Sequence, residues 1–273
     1  VRAFILQGNV DKVEKTLPCG KFYVDELSTS GSPRTFQMKA VSIPLDKPCR
    51  KKIKSRAWER KSLKEIAQEI AAESKLTLFW DCESNPRNDR TDQKRETDLK
   101  FLSRLCEEAG LSIKVTDSKL VIFDQSVYES KKPIMTFELG KSNILSWSFS
   151  SSQSETYKSC TIKYYDVKAD RTNKYTYVDP NADDNDQEYT IKVRVNSLDE
   201  AKRIAQKKLR NLNARKLTGR MTVVGNILLS AGSVIECKGF GSFDGKFIIA
   251  KASHKIQSGY TTAVELRRVN SNY

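Results

Sequence analysis

The residue types that most often carry chemistry are thinly and unevenly supplied in this 273-residue chain. It has one histidine, His254, so triads, histidine-ligated zinc and histidine acid–base mechanisms have a single residue to draw on. His254 lies in the run ASHKIQSGYTT with no serine or cysteine nucleophile motif beside it, and reads as a packed or hydrogen-bonded strand residue. The six cysteines, at 19, 49, 82, 106, 160 and 237, form no CxxC pair and have no zinc-ligand spacing, which favours free buried thiols over disulfides. Paired carboxylates need no histidine. Asp81, Glu83, Asp89, Asp92, Glu96 and Asp98 gather around residues 82–95, where a glycosidase acid and base could sit. Arg87, Arg90, Lys94 and Arg95 lie among them, so a salt-bridged loop is the plainer expectation. Gly239, Gly241 and Gly245 miss the GxGxxG spacing by one residue and lead into a strand, which points to turn glycines. The acidic stretch 179–188 lacks the glycine and glutamate of a calcium loop and reads as solvated.

Charge is the other conspicuous feature. Lysine and arginine number 48 against 34 acidic residues, a formal +14. Residues 50–64 carry eight cations against Glu59, a local +7, and residues 197–220 carry eight against Asp199 and Glu200, a local +6. The rest of the chain is nearly neutral. The candidate docking cations are Arg50, Lys51, Lys52, Lys54 and Arg56 in the first segment, and Lys202, Arg203, Lys207, Lys208 and Arg210 in the second. These segments suit nucleic acid, an anionic envelope or an acidic partner. As an alternative they are the solvated faces of a linker and a helix. Neither interleaves aromatics with its cations, which weakens single-strand binding.

The elements that must position these residues follow from periodicity. Residues 1–45 alternate in short strand-and-turn runs. Pro44, Pro48 and the basic run mark a linker-like boundary over 44–57. A helix follows, with Ser62 and Glu65 as a capping box and Leu63, Ile66, Ala67, Ile70 and Ala71 on one face. LTLFW (76–80) reads as a buried strand and 82–95 as a polar loop. A second helix begins near Thr97 or Asp98, carries Leu99, Leu102, Leu105 and Cys106, and stops at Gly110; a hairpin over 111–124 turns at Asp117–Ser118. Strands resume over 133–195, with loops expected at 148–155 and 179–188. A third helix opens on a Ser197–Glu200 box, and the last 60 residues are strands. The predicted fold is α+β, mostly β: a β segment over 1–45 that is part of a first barrel, an α+β module over 46–125 with a helix–strand–helix–hairpin order, and a second barrel-like β domain over 126–273 with a helix near 197–213. No run of 18 apolar residues exists that could span a bilayer, and the first residues lack the regions of a signal peptide. Because the chain begins with Val1, an upstream piece is expected to be missing.

Two stretches carry a resemblance. The first is SRAWERKSLKEIAQEIAAESKLTLFWD (55–81), then RTDQKRETDLKFLSRLCEEAGLSIKV (90–115) and SKLVIF (118–123). The second is SLDEAKRIAQKKL (197–209) and then 217–269 with AGSVIECKGFGSFDGKFIIAKASHKIQSGYTTAVEL. In order and spacing these resemble the phage late control protein D family, the baseplate hub proteins of contractile tails, related to the hub part of type VI secretion spikes. The residues that carry it are Trp58, Arg90, Gln93, Asp98, Leu99, Phe101, Leu102, Arg104, Leu105 and Gly110, then Gly239, Gly241, Gly245, His254, Gly259 and Tyr260. The resemblance implies a non-enzymatic scaffold with no cofactor: a homotrimer that adapts a hexameric tail tube to a threefold central spike. Its implied partners are the tail tube or a tube initiator, the spike, baseplate wedge proteins and a tape measure, with nucleic acid only if the channel carries DNA. Its implied place is the baseplate of a virion or tail-like bacteriocin, assembled in the bacterial cytoplasm. The alternatives are a peptidoglycan-degrading enzyme using the 81–98 carboxylates, or a nucleic-acid-binding module using 50–64 and 197–220.

Overall fold

The computed structural model describes residues 1–9, 12–42, 48–83, 85–116, 118–152, 156–166, 171–180, 182, 187–192, 198–214 and 216–269. The Ser197 cap, the Asp117 turn position and Asp183, Asp184 and Asp186 of the acidic stretch lie outside the described residues. The chain divides into two compact units, Val1–Gln125 and Ser126–Tyr273. It is mostly β, with five α-helices among the described residues.

The first unit opens with two antiparallel ribbons, β1 (Arg2–Asn9) with β2 (Lys12–Lys21), and β3 (Tyr23–Ser30) with β4 (Thr35–Val41). The short helix α1 (Pro48–Lys51) leads into β5 (Ile53–Ser62) and α2 (Leu63–Glu73). Then come β6 (Thr77–Asp81), β7 (Arg87–Thr97), α3 (Asp98–Glu108), β8 (Ser112–Thr116) and β9 (Lys119–Phe123). Helix α2 forms where expected because Ser62 and Glu65 satisfy each other's backbone donors in a complete capping box. Its Leu63, Ile66, Ala67, Ile70 and Ala71 are all buried. Thr97 caps α3, which buries Phe101, Leu102, Leu105 and Cys106, with Leu99 packed at the margin. Both helices cover one face of the three-stranded sheet β6–β9–β8, in which β8 and β9 form the expected hairpin.

Three expectations for this unit need correction. The polar loop over 82–95 is in large part a strand: β7 pairs antiparallel with β5 across eleven residues. Its inward positions include Thr91 and Gln93, so the buried face is polar and leaves no apolar alternation to read. The basic linker is likewise structured, because α1 and β5 occupy it and Trp58 is buried on β5. Strand β6 is not buried throughout; Phe79 is 51% exposed.

The second unit has α4 (Gln125–Glu129) at its start, followed by β10 (Met135–Glu138), β11 (Ile144–Ser151), β12 (Tyr157–Asp166), β13 (Arg171–Val178) and β14 (Gln187–Lys192). Helix α5 (Leu198–Asn213) is followed by β15 (Leu217–Val224), β16 (Val234–Lys238), β17 (Gly245–Ile256) and β18 (Tyr260–Arg268). Six strands form one sheet in the order β10–β16–β17–β18–β15–β11, and β13–β12–β14 form a second. The larger sheet encloses Phe137, Met221, Leu229, Ile235, Phe247, Ile249, Val264 and Leu266. Helix α5 packs Ala201, Ala205 and Leu209 onto Cys160 and Ile162 of β12. The loop expected at 148–155 begins later than predicted. Strand β11 extends through Ser151 because its serines pair in register with β15, whatever their low strand propensity.

Candidate functional site

In the first unit the residues of the resemblance converge on a buried charge. Asp98 is fully buried, and its carboxylate accepts hydrogen bonds from Lys54 (2.6 Å), Arg56 (3.0 Å) and Gln93 (2.9 Å). Glu73 of α2 accepts from the same two cations, at 2.8 Å from Lys54 and 2.7 Å from Arg56. Gln93 also accepts from Arg56 and donates to the Glu96 carbonyl. One carboxylate thereby ties β5, β7 and α3 together, and Glu73 adds α2. Burial pulls the Lys54 ammonium down, but its hydrogen bonds to Asp98 and Glu73 outweigh that and hold it above the ordinary lysine value. The hydrogen bond from Arg56 holds Glu73 below the usual carboxylate range. Above this network the Arg56 guanidinium lies 4.3 Å from the Trp58 ring centroid, and Trp58 stacks on Phe101 at 6.4 Å.

The second unit holds a corresponding arrangement that the sequence did not announce. Glu129 of α4 is buried, and its carboxylate accepts from Arg267 of β18 at 2.5 Å and from Arg210 of α5. A lone glutamate in QSVYES gives no periodic or motif signal for such a role. Nearby on the sheet, Trp147, Phe149, Phe240, Phe243 and Phe247 form an aromatic cluster with centroid spacings of 5.2–6.0 Å. The turn that carries Phe240 is held by the Asp244 carboxylate, which accepts from the Gly239 and Phe240 amides. Gly245 follows at φ +134°, a conformation that favours glycine there. Gly241 and Gly259 complete the two turns flanking β17.

His254 sits on β17 with Nδ1 2.8 Å from the Tyr260 hydroxyl and 3.2 Å from Thr262 Oγ1. Thr262 is fully buried and is also bonded to the Asn226 backbone, so it anchors this polar group in the sheet, while His254 and Tyr260 are half-buried. The Tyr260 ring occupies the space beside Gly225, where a Cβ would lie 2.1 Å from it. These contacts explain His254 and Tyr260 as structural residues.

Several carboxylates of 81–98 are ion-paired: Asp92 with Arg90, Glu96 with Arg104 and Asp98 with Lys54 and Arg56. A shallow polar groove of about 520 Å³ is lined by Arg90, Asp92, Lys94, Glu96, Arg104 and Glu108, among others. Arg90 bonds Asp92 at 2.9 Å, and Arg104 bonds Glu96 at 2.7 Å and Glu108 at 3.1 Å. The Arg90 hydrogen bond holds Asp92 below its ordinary range, which suits a fixed anion and not a proton donor near neutrality. Leu105 forms the apolar floor, and Gly110 ends α3 one residue past its cap. Burial pushes the thiols of Cys106 and Cys237 up to about 12 and that of Cys160 to about 11, so these cysteines are unreactive. All six cysteines are free. Among the described residues no group of three or more His, Cys, Asp or Glu is placed to hold a metal ion.

The candidate docking cations divide in two. Arg50, Lys51, Lys52, Lys202 and Arg203 are exposed, while Lys207 and Lys208 are half-buried against the sheet under α5. Lys54, Arg56 and Arg210 are withdrawn from docking, because each is spent on a buried carboxylate of its own unit.

Large apolar side chains stand open at scattered positions, among them Phe4, Leu6, Val24, Leu27, Phe36 and Met38 on the ribbons of the first unit, Leu145 and Trp147 on β11, and Ile53, Phe79, Val178 and Ile256 elsewhere. No helix is long and apolar enough to cross a membrane among the described residues.

Comparison with known proteins gives a consistent result. A family model described as "Phage tail baseplate hub (GPD)" matches residues 24–260, across both units. Among solved structures, the chain is similar to a tail protein from Neisseria meningitidis MC58, at 17% identity and TM-score 0.72, over 92% of this chain and 80% of that one. It is similar to the 43 kDa tail protein of prophage MuSo2 from Shewanella oneidensis, at 16% identity and TM-score 0.68, over 90% and 77%. It is also similar to the E. coli c3393 protein, described as a type VI secretion component resembling the T4 tail proteins gp27 and gp5, at 14% identity and TM-score 0.58, over 95% and 62%. No curated protein matches in sequence.

Proposed function

Since the chain belongs to the phage tail baseplate hub family, we propose that it is a non-enzymatic structural hub of a contractile injection apparatus, joining a hexameric tail tube to a trimeric central spike. The observation that carries this reading is the family match, which runs through both compact units and not through one borrowed domain. In this reading the chain works as a homotrimer in the baseplate of a virion or tail-like bacteriocin, built in the bacterial cytoplasm. Tube or tube initiator, spike, wedge proteins and tape measure are its neighbours. Its exposed cations Arg50, Lys51, Lys52, Lys202 and Arg203 face acidic surfaces of those neighbours. The buried carboxylates Asp98 and Glu129 fix the elements that present these surfaces, as rigid scaffolds require.

Co-expression with the tail-tube and spike proteins of the same genome tests the proposal. A complex containing three copies of this chain and both partners is the expected outcome. A chain that stays monomeric and joins neither partner overturns it. The glycosidase alternative predicts turnover of purified peptidoglycan that disappears on Asp92→Asn; the ion-paired state of Asp92 argues against it.

A further inference from the structure

The sheet β13–β12–β14 has two unlike faces. All three strands lie in the second unit, far along the chain from the N-terminal ribbons. Cys160, Ile162, Tyr175 and Tyr189 turn toward α5 and pack with it. Alternation puts Thr161 and Lys163 of β12 on the other face, with Thr176 and Lys174 of β13 and Thr190 of β14. Register aligns these residues in rows across the strands. Thr161 stands between Thr176 and Thr190, its hydroxyl 2.8 Å from that of Thr176. One step along, Lys163 stands opposite Lys174, and Lys192 holds the register position on the other side of Lys163. Neighbouring positions in such a row are about 5 Å apart, and like charges placed so repel. Lys163 and Lys174 are exposed, and neither has an ion pair among the described residues. Other sheets of the molecule set cations against acids: Lys39 against Glu26, Arg90 against Glu59, Lys246 against Glu236 and Lys251 against Glu265. A lysine row kept in spite of its repulsion fits a surface whose counter-charge comes from outside the unit.

The same sheet has an acidic end. Where the chain passes from β13 to β14 it reads DPNADDNDQE (179–188), five carboxylates without a lysine or arginine. Of these, Glu188 lies 3.6 Å from Lys158 of its own copy. The stretch is anchored away from the lysine row. The Asp179 amide bonds the Lys158 carbonyl, and the Ala182 amide turns back to the Asp179 carbonyl. Val178, next to Asp179, is four residues along β13 from Lys174, about 13 Å at 3.3 Å per residue. Asp179 and the lysine row thus stand at opposite ends of one sheet. Among the described side chains of the lysine face none is aromatic, so nucleic-acid bases have no stacking platform there.

We propose that the acidic stretch 179–188 of one copy of this chain docks on the lysine row, Lys163 and Lys174, of a second copy. This deepens the hub reading and rests on it, since that reading requires several copies. The occupant is a second copy because one chain supplies both charges, an acidic stretch and a lysine row, anchored at separate ends of one sheet. Unlike ends meet, so the contact is heterologous, and each copy in a closed ring makes it twice. Complementary charges of this kind fix partner and register and speed encounter more than they add affinity. Salt screens exposed charges, so the contact weakens as ionic strength rises.

The test cross-links the assembled protein. Light and isotopically heavy chains are mixed, assembled with the tail-tube and spike proteins, and treated with a water-soluble carbodiimide, which joins an amine to a carboxylate in contact with it. Peptide mass spectrometry is expected to find Lys163 or Lys174 joined to Asp183, Asp184 or Asp186, with one peptide light and the other heavy. Cross-links that are never mixed put the stretch on its own copy, and cross-links to tube or spike peptides identify a different occupant. Either result, or no cross-link at these lysines, overturns the contact. Charge exchange is the second arm. The double variant Lys163→Glu, Lys174→Glu is expected to lower the yield of assembled complex about tenfold at low salt. Adding Asp183→Lys and Asp184→Lys to the same chain is expected to restore it, because the charges are then exchanged and not lost. Circular dichroism matching the wild type establishes that each variant is folded. A double variant that assembles like the wild type, or a quadruple variant no better than the double, overturns the contact. If the complex with tube and spike forms without the mixed cross-link, the contact fails and the hub reading stands. A wild-type chain that joins neither partner removes both.

Discussion

The first 42 residues and the six-stranded sheet are both β structure, but they hold themselves together by different means. The sheet closes over a core that contains Phe247, Ile235, Leu229 and Met221, each at most 1% exposed. Among residues 1–6 and 15–42, whose burial is described, none is buried. The two ribbons there have paired backbones and correct alternation but no interior. Backbone pairing therefore sets strand geometry in this molecule, and apolar burial decides which strands are stable by themselves.

The largest effects expected from this contrast lie in the sheet. Phe247→Ala should lower unfolding stability by about 3–5 kcal/mol in chemical denaturation, through lost burial and a cavity among the aromatic side chains. Asp98→Ala in the first unit should cost a similar or slightly smaller amount, about 3 kcal/mol or more, because Lys54 and Arg56 lose their buried counter-charge. Asp98→Asn should be milder, since it keeps an acceptor for Gln93. Next in size is pH. Glu73 is held below its ordinary 4.5, so its contribution is complete above that value and is lost as pH falls through the lower folded value. Lys54 is held above its ordinary 10.5; its contribution is complete below that value and is lost as pH rises through the higher folded one. Melting temperature should therefore fall at both ends with a plateau between, and Glu73→Gln should flatten the acid limb. The smallest effect should be that of Phe36→Ser, within about 0.5 kcal/mol, because the residue is 68% exposed. A loss of 2 kcal/mol there would show that the ribbon already has an interior and would break the comparison.

Legibility in the sequence followed the same divide. Helices α2 and α3 were readable because caps and 3.6-residue periodicity act locally, at Ser62, Glu65, Thr97 and the Leu102–Leu105 face. The β8–β9 hairpin and the strands around His254 were readable from short β-rich runs between turn residues. Strand β7 was hidden because its inward residues include Thr91 and Gln93, polar groups whose partners are Asn88 on the same strand, Arg56 on β5 and Asp98 on α3. The ion network was hidden for a different reason: Lys54 and Asp98 are 44 positions apart and meet only once β5 pairs with β7. Counting charges along 50–64 gave a basic patch, and folding removed Lys54 and Arg56 from it. The Glu129 clasp left no trace, since its partners at 210 and 267 are fixed by tertiary packing alone.

Amide hydrogen exchange tests most directly the claim that apolar burial decides which strands are stable by themselves. The account predicts fast exchange over β3 and β4 and slow exchange over β17 and β18 in the same chain. Protection of β3 and β4 equal to that of β17 and β18 would contradict it.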